Sequence, residues 1–332
     1  MKLYFSQSPH VRSDNSTRKI MLSVAIALTP SCIAGIVFFG IPALLMILTA
    51  VISSIGAEIV YELCMGKKFK EIFEDMDYSS LVTGLILALI MPATYHLYVV
   101  ALASVFAIVV VKMFFGGTGN NLVNPAASGR IFAFISFSAI LDSFVKPSIG
   151  AIKNVVLTGP SAGGTVVTGA TSLKNFLAGG NSLSTIDLLL GTGVAGCIGE
   201  TCKIAILIGA IYLAIKKIID IKLPIFALLL AGITGVALNE FDFGAFLPTV
   251  LSGGLFFACF FMATDFVTNP RTTLGRYVFF AGFAILTVVL RQFSGYETAS
   301  FALLIMNLIV PLIDKITINK PFGYKKPQKE AK

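Results

Sequence analysis

Apolar residues fill long stretches of the chain, and short polar segments separate these stretches. A membrane-spanning α-helix needs roughly 20 consecutive apolar residues, so each stretch predicts one such helix. We therefore expect an all-α polytopic membrane protein with about ten transmembrane helices. Their predicted bounds are residues 20–38, 43–63, 80–95, 97–115, 129–145, 187–215, 223–239, 246–263, 277–291 and 297–314.

Two of the predicted spans contain residues that interrupt helices. Pro92 lies in the third span, and the sixth span contains several glycines between Gly191 and Gly199. We expect a break in the third span and two half-helices in the sixth. Broken helices are tolerated in a bilayer only where protein or a cavity shields the freed backbone groups.

Composition and charge agree with this interpretation and orient the chain. Of the 332 residues, 56% are hydrophobic and 13% are charged, which excludes a soluble enzyme and a nucleic-acid-binding protein. With the N-terminus inside, twenty Lys and Arg residues fall on the inner side and four on the outer side, as the positive-inside rule requires. The predicted organisation is a cytoplasmic tail (1–19), a first bundle (20–145), an extracytoplasmic loop (146–186), a second bundle (187–314) and a basic cytoplasmic tail (315–332).

Two inner segments have similar sequences. Asn124-Pro125 is followed by Gly129-Arg130 and a span, and Asn269-Pro270 is followed by Gly275-Arg276 and a span. This similarity indicates an internal duplication of a multi-helix unit, a common construction in transporter bundles. Similar turn chemistry that arose independently would give the same pattern.

Three carboxylates lie in or beside apolar segments, where a charge is costly and therefore informative. For Glu200 we consider an ion pathway, or a carboxylate bonded to the end of a broken helix. Asp265 begins a polar loop, where helix capping is an equally good explanation. Glu58 lies near the cytoplasmic end of a span, where an interfacial position explains it, although an ion pathway is the alternative.

The sequence offers no recognisable metal site. Its two histidines are far apart, and its five cysteines have no metal-binding spacing. A redox cofactor, if there is one, would have to be organic or held by another subunit.

A short motif in the outer loop, Thr168-Gly169-Ala170-Thr171-Ser172, resembles the Ser/Thr-Gly-Ala-Thr motif of a family of flavin-carrying membrane subunits. Other segments agree in order along the chain: Ser8-Pro-His-Val, residues 119–126, the Gly-Glu-Thr segment at 199–201, residues 262–276 and residues 307–314. The chain is therefore similar to the D subunit of the Rnf complex, an ion-translocating ferredoxin:NAD oxidoreductase. The B subunit of the sodium-pumping NADH:quinone reductase belongs to the same family.

The resemblance implies a set of cofactors and partners. Thr171 would carry FMN through a phosphoester, with Thr168, Gly169, Ala170 and Ser172 around it. Riboflavin would lie non-covalently in the bundle, with the loops at Asn124 and Asp265 as walls and Arg130 close by. The implied partners are the Rnf subunits A, B, C, E and G, especially the FMN-bearing G subunit, together with membrane lipid and Na⁺ or H⁺.

A second function remains open from the residues alone. Broken helices, glycine-rich loops and single carboxylates also fit a secondary transporter or channel on a duplicated bundle. That alternative predicts no bound flavin and substrate flux by the isolated subunit.

Overall fold

The computed structural model describes residues 16–94, 96–137, 185–191, 196–294 and 297–318, and within these ranges the chain forms helices and no β-strand. The fold is that of an all-α polytopic membrane protein, as predicted. The motif at 168–172 and nearly all of the predicted loop 146–186 lie outside the described residues. So do most of the N-terminal tail and of the basic C-terminal tail.

Among the described residues, the first bundle contains six α-helices, the fifth of which continues as a π-helix. They are α1 (Thr17–Phe39), α2 (Ile41–Cys64), α3 (Phe69–Asp75), α4 (Ser79–Leu89), α5 (Leu97–Val105) with the first π-helix (Phe106–Met113), and α6 (Pro125–Ser136).

The second bundle is more interrupted. Its helices are α7 (Thr185–Leu190), α8 (Lys203–Ile215), α9 (Lys222–Leu238), α10 (Phe246–Leu251), α11 (Leu255–Phe257) with the second π-helix (Ala258–Met262), α12 (Thr273–Ser294) and α13 (Ala299–Ile316).

A single residue joins the two longest helices. Gly40 lies between α1 and α2 with φ 71°, and its N–H donates to the carbonyl of Ile36 over 2.8 Å. Because only glycine adopts this left-handed backbone without strain, the chain can reverse here with no further linker.

Span lengths vary more than the sequence indicated. Among the described helices, α1, α2, α12 and α13 are long and apolar enough to cross a membrane, and α10 with α11 would make a fifth span bent by 68°. The prediction of one continuous helix over 246–263 was therefore wrong. Many aliphatic side chains on the long helices are exposed, such as Ile52 at 67%, as expected for a surface that faces lipid.

The two predicted breaks are confirmed. Helix α4 ends at Leu89, before Pro92, and the sixth span is divided into α7 and α8. The breaks meet, because the N–H groups of Ile198 and Gly199 donate to the carbonyls of Met91 (3.1 Å) and Leu89 (2.7 Å). Each break therefore satisfies backbone groups that the other leaves free.

Close helix contact depends on glycines at the crossing points. Gly209 of α8 packs on the backbone of α1, where a Cβ atom at this position would overlap the carbonyl oxygen of Ala27. By contrast, Gly56 of α2 has no atom within 4 Å of where its Cβ would lie.

These two glycines predict opposite effects of one substitution. Gly209→Ala should lower the thermal stability of the purified protein, since overpacking costs about 1–3 kcal/mol. Gly56→Ala should leave it unchanged or raise it, because alanine favours helix by up to about 1 kcal/mol. Equal melting temperatures for the two variants in detergent would contradict this account of the α1–α8 contact.

Candidate functional site

A cleft with a cavity volume of about 90 Å³ opens between α1, α4, the Asn124 loop, the end of α8 and the Asp265 loop. Asn124 and Asp265 both line it, as the sequence analysis expected of two walls of one site. The amide Nδ2 of Asn124 also donates to the carbonyl of Met262 over 3.4 Å. This bond ties together segments that are 138 residues apart in the chain.

Local turn chemistry positions Asn124. Its side-chain Oδ1 accepts from the N–H of Ala127 (3.2 Å), and Pro125 occupies the first turn of α6. This is an N-cap followed by proline, an arrangement that starts helices efficiently. Asn124 thus fixes the start of α6 at the wall of the cleft.

Hydrogen bonds within its own loop also position Asp265. Its Oδ1 accepts from the N–H of Val267 (3.3 Å) and its Oδ2 from the hydroxyl of Thr268 (3.2 Å). Asn269 closes the same loop by donating to the carbonyls of Ala263 and Asp265. Asp265 therefore shapes a turn and does not cap a helix as the sequence suggested, since the next helix begins only at Thr273, and the residue also lines the cleft.

The two similar Asn-Pro segments also share their local structure. Each follows a π-helix, Phe106–Met113 in the first bundle and Ala258–Met262 in the second, and each leads into a helix that carries Gly-Arg. Short π-helices are uncommon and occur often at functional sites. The likeness therefore extends from sequence to backbone geometry.

The walls of the cleft differ in polarity. Ser79, Thr83, Thr118 and Asn121 contribute polar groups, together with Lys112 from the first π-helix. Aromatic rings from the second bundle also line it: Phe260, Phe261 and Phe266. The sequence analysis missed these residues, although one lysine within an apolar span was an available signal.

Lys112 lies near the end of the predicted span 97–115 and is one of the twenty residues counted on the inner side, but it is not an exposed flanking charge. Its side chain is buried, and Nζ lies 2.5 Å from Oε1 of Glu58 and 2.6 Å from Oγ of Ser79. Glu58 is buried as well, so it does not occupy the exposed interfacial position that was expected. The pair forms because the π-helix places Lys112 beside α2, which only the folded bundle reveals.

Asp77 extends this polar chain toward the surface. Its Oδ1 accepts from the hydroxyl of Ser79 over 2.6 Å. Burial alone would raise the pKa of Asp77, but hydrogen bonds from Ser79 and Thr118, with the positive charge of Lys112, lower it below the usual range. Asp77 is therefore a carboxylate at neutral pH.

A second polar region, the buried charge cluster, lies where the helix breaks meet. Its side chains come from four helices or their ends: Arg130, Glu200, Lys203, Arg291 and Glu297. Arg130 does not line the cleft, contrary to expectation. It lies about 9 Å along α6 from Asn124, and its guanidinium faces Ser300 (3.4 Å) and the sulfur of Cys197 (3.7 Å).

Glu200 lies in the break of the sixth span. Its Oε1 accepts from the N–H of Cys197 (2.8 Å), which confirms a bond to a broken-helix end. Its Oε2 is buried and has no hydrogen-bond partner among the described residues. A buried carboxylate oxygen without a partner is costly, so it calls for a functional explanation.

Lysine and arginine hold the bent span in place. Lys203 donates to the carbonyls of Glu200 and Gly253, and Arg291 donates to the carbonyl of Thr249 (3.2 Å). Arg291 also binds both oxygens of Glu297, at 3.0 and 2.8 Å. Arg291 ends the predicted span 277–291 and is one of the four residues counted on the outer side, but it is 2% exposed and is therefore not an exposed flanking charge.

The Arg291–Glu297 pair makes a testable contribution to stability. Arg291→Met should destabilise the protein by about 3–5 kcal/mol, because it leaves Glu297 buried and unpaired. Adding Glu297→Gln should recover much of this loss. Thermal unfolding in detergent measures both.

An ion pair on the exposed surface provides the control for the Arg291–Glu297 pair. Lys70 and Glu74 lie 4.0 Å apart with side chains that are 89% and 67% exposed. Lys70→Met should change stability by less than about 1 kcal/mol. A loss for Arg291→Met no greater than that for Lys70→Met would contradict the structural importance assigned to the cluster.

The chain is similar to several characterised proteins along its whole length. It is 37% identical to the D subunit of the Na⁺-translocating ferredoxin:NAD⁺ oxidoreductase complex of Acetobacterium woodii, over 100% of this chain and 99% of that protein. It is 36% identical to the D subunit of the proton-translocating ferredoxin:NAD⁺ oxidoreductase complex of Clostridium ljungdahlii, over 96% of this chain and 95% of that one. Identity to the D subunit of the ion-translocating oxidoreductase complex of Stutzerimonas stutzeri is 31%, over 93% of each chain.

The family described as NQR2, RnfD, RnfE matches residues 4–323. This match includes both Asn-Pro segments, the Gly-Glu-Thr segment and the motif at 168–172. The chain therefore belongs to the NQR2, RnfD, RnfE family.

Proposed function

We propose that this chain is the membrane flavoprotein subunit of an ion-translocating ferredoxin:NAD⁺ oxidoreductase complex. Its role is to carry electrons within the membrane part of the complex, coupled to ion movement. The observation that carries this proposal is full-length similarity to the D subunits of two such complexes. Subunits of the A, B, C, E and G types are its proposed partners, and the chain is not expected to be active alone.

The first proposed cofactor is FMN attached to Thr171 through its phosphate. Support comes from the Thr168–Ser172 motif and from the charge asymmetry, which favours an extracytoplasmic loop with both termini inside. A flavin exchanges one or two electrons, and the protein tunes its potential through charge and hydrogen bonds. Thr171 would keep the cofactor from dissociating at an exposed surface.

The second proposed cofactor is riboflavin in the cleft. In support, the cleft is concave, mostly apolar and lined by both Asn124 and Asp265. The lining also suits a planar ring with one polar edge and one apolar end. Asn121 and Thr118 provide hydrogen-bonding groups, and Phe260 and Phe261 provide apolar surface.

For ion coupling we propose Glu200 as the first group to test. Its unpartnered Oε2 lies at the meeting point of the broken helices, where backbone carbonyls are available. Glu58 also has one unpartnered oxygen, but its other oxygen is paired with Lys112. Moving one charge against the membrane potential costs about 2.3 kcal/mol per 100 mV, which a redox reaction must supply. The first two relatives reported above are named for different ions, so family membership does not choose between Na⁺ and H⁺.

Covalent flavin can be tested directly on Thr171. We expect the wild-type protein, made in a host that expresses the flavin transferase, to fluoresce under ultraviolet light after denaturing electrophoresis. Thr171→Ala should be dark and lighter by the mass of the attached FMN. Ser172→Ala removes a neighbouring hydroxyl and should remain fluorescent. A dark wild-type band, with the transferase active on a known substrate, would contradict covalent attachment and favour the transporter alternative.

The riboflavin site can be tested by filling the cleft. Val24 of α1 lines the cleft. Val37 of the same helix does not line the cleft and is 48% exposed on the surface of the protein. Val24→Phe should reduce the amount of flavin released on denaturation, while the covalent flavin on the same chain reports normal assembly. Val37→Phe should release as much flavin as the wild type. Unchanged release from Val24→Phe would place riboflavin elsewhere.

A further inference from the structure

Lys112 combines two properties that the proposed function does not use. It lines the cleft, and it is one of the most deeply buried lysines described, with 2% of its surface exposed. Its partner Glu58 lies on α2 and does not line the cleft. The positive member of the pair therefore faces the cleft, and the negative member lies behind it.

Stability alone is a poor explanation for this pair. Removing two charges from water costs several kcal/mol per ion. Apolar residues of similar volume often stabilise a fold as well as a buried ion pair does, or better. The neighbouring α4 and α5 contain no charged side chain. A buried pair at the wall of a cleft therefore points to a ligand that uses the charge.

The hydrogen bonds around Lys112 leave it with an unused donor. An ammonium group has three N–H donors, and the described bonds use two of them, to Oε1 of Glu58 and Oγ of Ser79. Ser79 has one hydroxyl hydrogen, which bonds to Asp77. Because that hydrogen is committed, Ser79 accepts from Lys112 and holds the ammonium in place beside the cleft.

We propose that Lys112 binds the ligand of the cleft, by donating its third N–H to an acceptor atom on the polar edge of an aromatic redox ring. This inference rests on the proposed function, which places a flavin there. A fixed positive charge beside the ring stabilises its electron-rich reduced form, so Lys112 raises the reduction potential of the ligand. Glu58, Ser79 and Asp77 act through Lys112 as positioning residues.

Two double variants separate binding from structural support. Lys112→Met with Glu58→Gln removes both charges, so neither partner is left buried and unpaired. Lys112→Glu with Glu58→Lys keeps the ion pair but moves the positive charge off the cleft wall. The control is Lys67→Met with Glu62→Gln, which removes a pair of the same chemistry, 3.0 Å apart, outside the cleft.

The measurements use the purified complex. One is the ratio of releasable to covalent flavin after dilution into flavin-free buffer, and the other is the midpoint potential of the releasable flavin. Loss of a hydrogen bond from a charged donor should weaken retention by about tenfold to a hundredfold. Both double variants at Lys112 and Glu58 (the cleft variants) should show this loss and a more negative midpoint potential. The control variant should have the flavin content and midpoint potential of the wild type.

Three results would overturn the inference. If both cleft variants keep the flavin content and potential of the wild type, Lys112 does not bind the ligand, while the proposed function stands. If the charge-swapped variant restores both values after the neutral variant has lost them, the pair is only structural. If the wild-type complex releases no flavin at all, both the inference and the proposed riboflavin site fail.

Discussion

Backbone groups inside a bilayer have no water to bond with, and this constraint shapes the second half of the protein. Three spans are interrupted within their length, so each exposes carbonyl and N–H groups. The structure brings these breaks together. Ile198 and Gly199 bond to the chain at the end of α4, and Lys203 and Arg291 donate to the freed carbonyls of the bent span. The charge cluster therefore exists because the helices are broken there.

The cleft and the charge cluster are connected through one short helix. Ser79 and Thr83, near the start of α4, line the cleft, and Leu89 at its end accepts a bond from Gly199 beside Glu200. Eleven residues of helix span about 16 Å. A rigid element thus joins the proposed redox site to the proposed ion-coupling group, which is the arrangement that mechanical or electrostatic coupling needs.

The sequence predicted features that depend on local chemistry and missed those that depend on tertiary contact. Pro92 and the glycines from Gly191 onward predicted two helix breaks, because proline and glycine disfavour helix wherever they occur. The bend at Gly253 was missed although Ser252-Gly253-Gly254 carries a similar local signal, because the long apolar runs on both sides favoured one continuous span. Lys112 and Arg291, each near the end of a predicted span, were counted as flanking charges. Their burial was missed because their partners come from another helix or from beyond the end of their own. The pairing of Asn124 with the Asp265 loop was expected only through family resemblance.

We propose that the cleft between the two Asn-Pro segments holds a flavin. The most direct measurement is a cryo-electron microscopy map of the purified, oxidised complex at a resolution that shows side chains. We predict planar three-ring density in the cleft, between Asn124 and the Asp265 loop, with its polar edge toward Lys112. Density for a lipid chain in this cleft, with every flavin of the complex located elsewhere, would contradict the assignment of a flavin to the cleft.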